Sequence, residues 1–493
     1  MTRRDVFDVA IVGLGPVGAA LAALLSRAGV SICVAEKDGA IYPLPRAAHF
    51  DHEIMRLFQR LGIAELVLEE ARPATGYRFE NAAGQVLMEF DMPPGASPSG
   101  WSPSYMFHQP AMERALRGLL TDVDVRLGRR FESLAQDADG VTLTLADPEG
   151  ATETVRAGYL IGCDGGGSAV RRAISGVLDD YGFDEPWLVI DVRVGEGARL
   201  PDINLQICDP ARPTTCVLMG PGRHRWEFML KPGEDPAEAL DDDAIAAWLA
   251  PWGGFEHLTL ERKAVYRFHG LVARSWRSGR VFLAGDAAHQ MPPFLGQGLC
   301  SGLRDAANLA WKLAAVALGE APPALLETYE PERAPNVRAI VEQAIFMGRV
   351  VCATDPEAAR ARDLQMIADR ESGAAPPRPP GVVPVLSQGC ILAGAPAAGQ
   401  FFPQPWSGDL RLDDFLGEGP VLITRAPQAG LGVRSIDLDG PDLAPFRAAL
   451  TLWLERHGAQ AVLVRPDRFV FGAGEPRVLA DAWRTLACQP APA

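Results

Sequence analysis

No apolar run in the sequence approaches the ~18 residues that a membrane-spanning helix needs, which excludes a helical membrane protein. Basic residues are not in excess either. Lysine and arginine number 47 against 62 acidic residues, a net charge of −15. That sign is unsuited to nucleic acid or an anionic membrane as the main partner. The eight cysteines contain no C-x-x-C and no metal-ligand spacing, so no metal centre and no dithiol chemistry are expected. Thiols scattered in this way read as reduced, mostly buried residues of a cytoplasmic protein. The opening MTRRDVFDVAIVG enters a strand at once, so no secretory leader is expected. There is no internal repeat.

A chain of 493 residues with 48% hydrophobic content can support about three cores. Phe7–Val12 reads as a strand, Val17–Arg27 as a helix and Ile32–Ala35 as a second strand ending in Glu36, which is a βαβ opening. Ile54, Leu57, Phe58 and Leu61 recur at helical spacing behind Asp51, a fitting N-cap. Tyr77–Phe90 reads as a hairpin and Met112–Leu120 as a helix. From Trp187 to Phe268 strands dominate, with one helix near Asp243–Leu249. A βα unit then returns at Arg280–Leu318, and helix continues to about Val351. The expected architecture is α/β: a Rossmann-like nucleotide-binding domain over 1–72, 109–183 and 271–370, with an antiparallel β domain inserted as 73–108 and 184–270. The Pro- and Gly-rich stretch 371–384 reads as a linker, and 385–493 is long enough for a further small domain.

The turn GLGPVG provides Gly13, Gly15 and Gly18 as G-x-G-x-x-G between strand and helix. The first glycine permits the turn, the second lets backbone approach a pyrophosphate, and the third allows helix and strand to pack closely. Glu36, 18 residues past Gly18, ends the next strand, where a carboxylate accepts ribose hydroxyls. It and the adjacent Lys37 are assigned to the adenosine end of the ligand. An acidic group here repels a 2′-phosphate, which points to FAD or NAD as the bound dinucleotide.

Two more glycine-rich turns follow apolar strands: CDGGGSAVRR, with Asp164 at its head, and GDAAHQMPPFLGQG, which leads into a long helix. With GLGPVG, PRAAHFDHE and FHQPAMERAL, these resemble the single-component flavoprotein aromatic hydroxylases of the p-hydroxybenzoate hydroxylase fold. The resemblance covers about residues 5–350 and is strongest to the 3-(3-hydroxyphenyl)propionate hydroxylase branch. It implies FAD as cofactor, with Arg46 near the pyrophosphate, Gln109 near the ribityl and phosphate groups, and Asp164 in a loop serving both FAD and a passing NADH or NADPH. It also implies that Gly285 and Asp286 meet the ribityl chain and that Pro293, Gly296, Gly298 and Leu299 flank the flavin ring. His289 reads as a structural hydrogen-bonder of that turn. Cys300 stands where some relatives carry asparagine, and a buried inert thiol is the plainer reading. The C-terminal residues resemble the thioredoxin-like domain of such enzymes, without its cysteine pair.

The reaction that the resemblance implies is flavin reduction by NAD(P)H, oxygen addition at C4a and transfer of a hydroxyl to a phenol. A phenol ionises near pH ~10, so a base working near neutrality is wanted, which favours histidine. His49, three residues past Arg46, is the candidate, and His52 a weaker one. Arg193, Arg225 and Arg223 are candidates for holding a substrate carboxylate, and Pro293 for touching the ring. Two alternatives stay open: the same chemistry on a polycyclic natural product, and an FAD-binding protein without catalysis. The macromolecular partner left open is a second copy, a homodimer.

Overall fold

The computed structural model describes residues 6–44, 46–93, 95, 97–198, 200–253, 255–374, 383–425 and 430–487. Most of the stretch read as a linker, 375–382, lies outside these residues, as does Cys488.

The strand Val6–Val12 is buried on both faces, the condition of a parallel sheet covered by helices on each side. It lies between Thr152–Gly162 and Ile32–Glu36, with Val281–Leu283 and Asp124–Leu127 beyond them, and all these neighbours are parallel. Strands Arg130–Gln136 and Val141–Ala146 form an antiparallel branch from Thr152–Gly162. The order reverses direction at Val6–Val12, and a crevice opens there at the strands' carboxyl ends. Helix Pro16–Arg27 starts at this crevice and packs along helix Gly298–Ala317.

A second sheet of eight strands runs His289–Gln290, Leu258–Ala273, Leu178–Val194, Arg223–Met229, Thr214–Leu218, Asn204–Cys208, Gly76–Asn81, Val86–Asp91. Side-chain alternation divides its faces. Leu188, Ile190, Val192, Trp226 and Phe228 pack under the helix Asp242–Leu249. Trp187, Val189, Asp191, Arg225 and Glu227 belong to the opposite face, turned toward the nucleotide-binding layer.

The C-terminal region carries a four-stranded sheet in the order Arg434–Asp437, Val421–Thr424, Ala461–Val464, Val470–Gly474, with helices Arg447–Arg456 and Pro476–Ala487. Its first pair is parallel and the rest antiparallel. It docks through stacked Trp311 and Trp483 and two buried ionic clusters. In one, Glu332 meets Lys312 and Arg465 at 2.9 and 2.7 Å, and Arg465 also pairs with Asp467. In the other, Asp413 accepts from Arg56 and forms an ion pair with Arg468.

Three elements differ from expectation. The strand Leu178–Val194 begins nine residues before the apolar run at Trp187 and so crosses the expected boundary at 183. A helix over Pro356–Glu371, capped by Asp355, fills a stretch not read as structured. A three-stranded sheet joins His49–Asp51, Ser104–Phe107 and Ala71–Pro73, each too short for a visible period. No helix among the described residues is long and apolar enough to cross a membrane, and no cluster of metal-binding side chains occurs among them.

Candidate active site

Each glycine of the first turn has its own reason. Gly13 has φ +101°, and a Cβ there would stand 2.4 Å from the Cys163 carbonyl oxygen. At Gly18 a Cβ would meet the Gly13 oxygen at 2.0 Å, so this glycine lets helix and strand touch. A Cβ on Gly15, the helix N-cap, would meet nothing within 4 Å. That open space lies over a helix N-terminus whose first N–H groups have no intrahelical acceptor, a cradle suited to a diphosphate. Glu36 accepts from Leu14 N at 2.7 Å and from Asp38 N at 3.0 Å. Each oxygen keeps a second lone pair for a ribose hydroxyl. Lys37 is exposed beside it.

The Asp164 carboxylate accepts from Ser168 Oγ and from Ala169 and Val170 N, so it caps the short helix Ala169–Ala173. Arg171 joins this loop to the third turn, donating to Gly166 O and Ala287 O, each at 2.7 Å. The third turn is pinned from below. Asp305 accepts from Gly285 N at 3.0 Å, faces His289 Nε2 at 2.7 Å and takes Arg333 Nε at 2.9 Å. Burial alone would raise the Asp305 carboxyl, but His289 and Arg333 outweigh it and hold it below its ordinary value. Asp286 has no hydrogen-bond partner among the described residues. It is open to the crevice yet deep among protein atoms, which raises its pKa.

Beyond this turn, Pro293–Leu295 forms a single 3-10 turn that ends at Gly296 with φ +63°. A Cβ on Gly296 would stand 2.7 Å from His49 Nδ1. That nitrogen lies 2.9 Å from the Gly296 carbonyl, and a carbonyl only accepts, so Nδ1 carries the proton. The neutral ring therefore keeps its lone pair on Nε2, which has no protein partner among the described residues. Burial lowers the His49 pKa, against the raising effect of the Gly296 bond and Asp51. Helix Gly298–Ala317 starts next, with Gly298 and Leu299 half-buried at its N-terminus. Burial drives the Cys300 thiol well above its ordinary value, which leaves it inert.

An ionic cluster under His49 escaped sequence reading. Arg304 binds Asp51 and, at 2.6 Å, Glu53, while Gln297 bridges Asp51 and Arg304. Arg304, about two turns past a glycine-rich loop, was the available signal. His52 turns away from this cluster to Ser99 Oγ, at 2.8 Å.

The remaining assigned residues take indirect places. Gln109 accepts from Arg46 N at 3.2 Å and Ala47 N at 2.6 Å, and so fixes the backbone that carries the exposed Arg46 side chain. Arg225 holds Asp191 through Nε at 2.6 Å and Nη2 at 3.1 Å, and donates to Arg46 O at 2.7 Å. Arg193 is exposed and paired with Glu261, which also pairs with Arg223. Of the three arginines considered for a substrate carboxylate, only Arg225 borders the crevice, and its guanidinium is already engaged.

A pyrophosphate cradle, a ribose acceptor, an aspartate-bearing turn and a helix N-terminus along one crevice fit FAD, and define the class. The model of the FAD binding domain family matches residues 6–344, and the chain belongs to that family. A probable NADH-specific resorcinol 4-hydroxylase of Rhodococcus jostii (strain RHA1) is 40% identical, covering 99% of this chain and 96% of the relative. A 3-(3-hydroxy-phenyl)propionate/3-hydroxycinnamic acid hydroxylase of Mycolicibacterium smegmatis (strain ATCC 700084 / mc(2)155) is 33% identical, covering 96% and 91%. The structure of aklavinone-11 hydroxylase with FAD and aklavinone superposes with a TM-score of 0.81 at 25% identity, covering 99% of each chain. The HcaD C-terminal domain model matches residues 441–489. The protein is thus an FAD-dependent aromatic hydroxylase, as the three glycine turns implied, and the alternative of a non-catalytic FAD binder is set aside.

Proposed function

We propose that the protein hydroxylates a single-ring phenol, with His49 as the base that takes the phenolic proton. The observation that carries this is the fixed tautomer of His49: its Nδ1–H is spent on Gly296, leaving Nε2 as an acceptor beside the Pro293–Leu295 turn. Proton removal makes the ring the stronger nucleophile, and a lowered pKa keeps the imidazole in its accepting form at neutral pH.

FAD, when bound, supplies the electron transfer from the nicotinamide and the activation of oxygen. Gly13, Gly15 and Gly18 would hold its diphosphate, with Arg46 nearby, and Glu36 and Lys37 its adenosine end. Asp164, Gly285 and Asp286 would take the middle of the molecule, with Gln109 acting through the backbone of 46–47. Pro293, Gly296, Gly298 and Leu299 would border the ring. The N-terminus of Gly298–Ala317 favours negative charge there. Arg225 holds the Arg46 segment in place. Arg193, exposed and paired with Glu261, is the further candidate for substrate contact from the β layer.

A single ring is preferred because the relatives at 40% and 33% identity are named for resorcinol and hydroxyphenylpropionate. A polycyclic substrate is the second reading, favoured by the likeness to aklavinone-11 hydroxylase. NADH is the preferred reductant, from the first relative's name. We further infer that 1–72, 109–183 and 271–370 serve the cofactor and 73–108 and 184–270 the substrate. The C-terminal region, after the linker 371–384, is inferred to be thioredoxin-like on the strength of its sheet order and flanking helices. A cytoplasmic homodimer is the inferred working form, and the seven described cysteines being free thiols is consistent with that compartment.

The test is anaerobic flavin reduction by NADH and by NADPH, with and without phenols from resorcinol to polycyclic compounds. Acceleration by a single-ring phenol, followed by a hydroxylated product on adding oxygen, is expected. Acceleration by polycyclic phenols alone would reverse the preference between the two readings.

A further inference from the structure

We propose that Glu227 recognises the substrate, accepting a hydrogen bond from a second ring hydroxyl, and that it makes the enzyme select uncharged dihydroxybenzenes over phenols carrying a carboxylate. The inference rests on the phenol-hydroxylase reading and narrows it to one substrate class.

Strand register places Glu227. The substrate sheet meets the cofactor layer at two points on one face. At one, Trp187 and Phe268 pack on Phe294, within the turn that holds Pro293, at ring distances of 5.6 and 6.2 Å. At the other, Arg225 donates to Arg46 O. Along the strand Leu178–Val194 these points are Trp187 and Asp191, the latter opposite Arg225. The row between them is Val189, whose cross-strand partners are Ala264 on one side and Glu227 on the other. Glu227 is followed across the sheet by Thr215 and Gln206. Since His49 is tied to Gly296, the base and the turn face this row from the opposite side. A ring held by His49 has this row as its far wall.

The wall has one acceptor to spare. Tyr77 and Thr215 donate their hydroxyls to Gln206 Oε1, at 3.2 and 2.9 Å, and Gln206 Nε2 donates to Thr214 O at 3.0 Å. These groups satisfy one another. Glu227 is 6% exposed, and its contact with a cation is a long one, 3.6 Å from Arg225 Nη1. Arg225 is spent on Asp191 and Arg46, and Arg262 also pairs with Asp191 and lies over Tyr266. Two carboxylates, Asp191 and Glu227, and two guanidiniums thus share this stretch of the wall. A hydroxyl donor completes Glu227. A carboxylated substrate would bring a third negative charge beside Asp191 and Glu227.

The experiment uses the FAD-loaded enzyme and three probes: resorcinol, 3-methoxyphenol and 3-(3-hydroxyphenyl)propionate. Dissociation constants come from the flavin absorbance, and KM and kcat from NADH-dependent product formation. Resorcinol should bind about tenfold or more tighter than either other probe, because a site built around a hydroxyl rejects analogues that leave it unpaired. Glu227→Gln should weaken resorcinol several-fold, leave 3-methoxyphenol within about twofold and improve the arylpropionate, with kcat little changed. Equal affinity of the wild type for resorcinol and 3-methoxyphenol would overturn the proposal whether or not the variant folds. So would a variant that weakens all three probes alike. Preferential binding of resorcinol without any product would support Glu227 while sinking the phenol-hydroxylase reading.

Discussion

His49 is the proposed base, and its replacement separates two functions. His49→Ala should lower kcat/KM for hydroxylation by about 10²- to 10³-fold while FAD content stays near wild type, since Gly13, Gly15 and Gly18 of the diphosphate cradle are untouched. The pH profile supplies a second check. The base works unprotonated and burial lowers its pKa from 6.5, so activity should be full at neutral pH and fall only as pH drops through a value below 6.5. That acid limb should vanish in the variant. A limb that persists belongs to another group. The residue type and its place after Arg46 were readable from sequence, but its proton was not. The tautomer depends on a carbonyl 247 positions away, and nothing in local spacing reports that partner. The same limit applies to Arg225. A basic residue on a β strand looks free until the cross-strand register sets Asp191 against it.

At the scale of the element, the glycine turns show how spacing can encode geometry. All three were legible because each needs backbone where a side chain would not fit, and glycine is conspicuous among apolar residues. They differ in what they protect. Gly15→Ala should leave the melting temperature of the apoprotein within about 2 °C and weaken FAD by tenfold or more, since its Cβ enters only the cradle. Gly18→Ala should destabilise the apoprotein itself, because its Cβ collides with the backbone of Gly13. Thermal melting with and without added FAD distinguishes the two. If Gly15→Ala binds FAD normally, the cradle lies elsewhere. The short strands His49–Asp51 and Ala71–Pro73 were not legible, since three residues carry no periodicity and their pairing with Ser104–Phe107 is a tertiary fact.

For the whole molecule, the buried ionic clusters decide how firmly the C-terminal region is held. Burial alone would raise the Glu332 carboxyl, but Arg465 and Lys312 bring it down to about 2. Its contribution to stability is therefore complete above the unfolded value near 4.5 and is lost as pH falls through about 2. Glu332→Gln should cost about 3–5 kcal/mol, because Lys312 would stay buried without its counter-charge and Arg465 would keep only Asp467. Chemical denaturation should register the loss, and limited proteolysis should find the region after residue 383 loosened first. A variant as stable as the wild type would mean that Asp467 alone balances both cations.

The two longest strands, Leu178–Val194 and Leu258–Ala273, run side by side, and the edge strand His289–Gln290 pairs with the second of them. Those two edge residues also belong to the turn that begins at Gly285, and Gln290 reaches across to Gly166. The layer that would touch substrate therefore ends inside the layer that would hold the cofactor. An engineer wishing to graft a different specificity onto this scaffold cannot cut at 184 and 270. The graft would have to carry both long strands in full together with the 289–290 edge, or else be made residue by residue on the inner face.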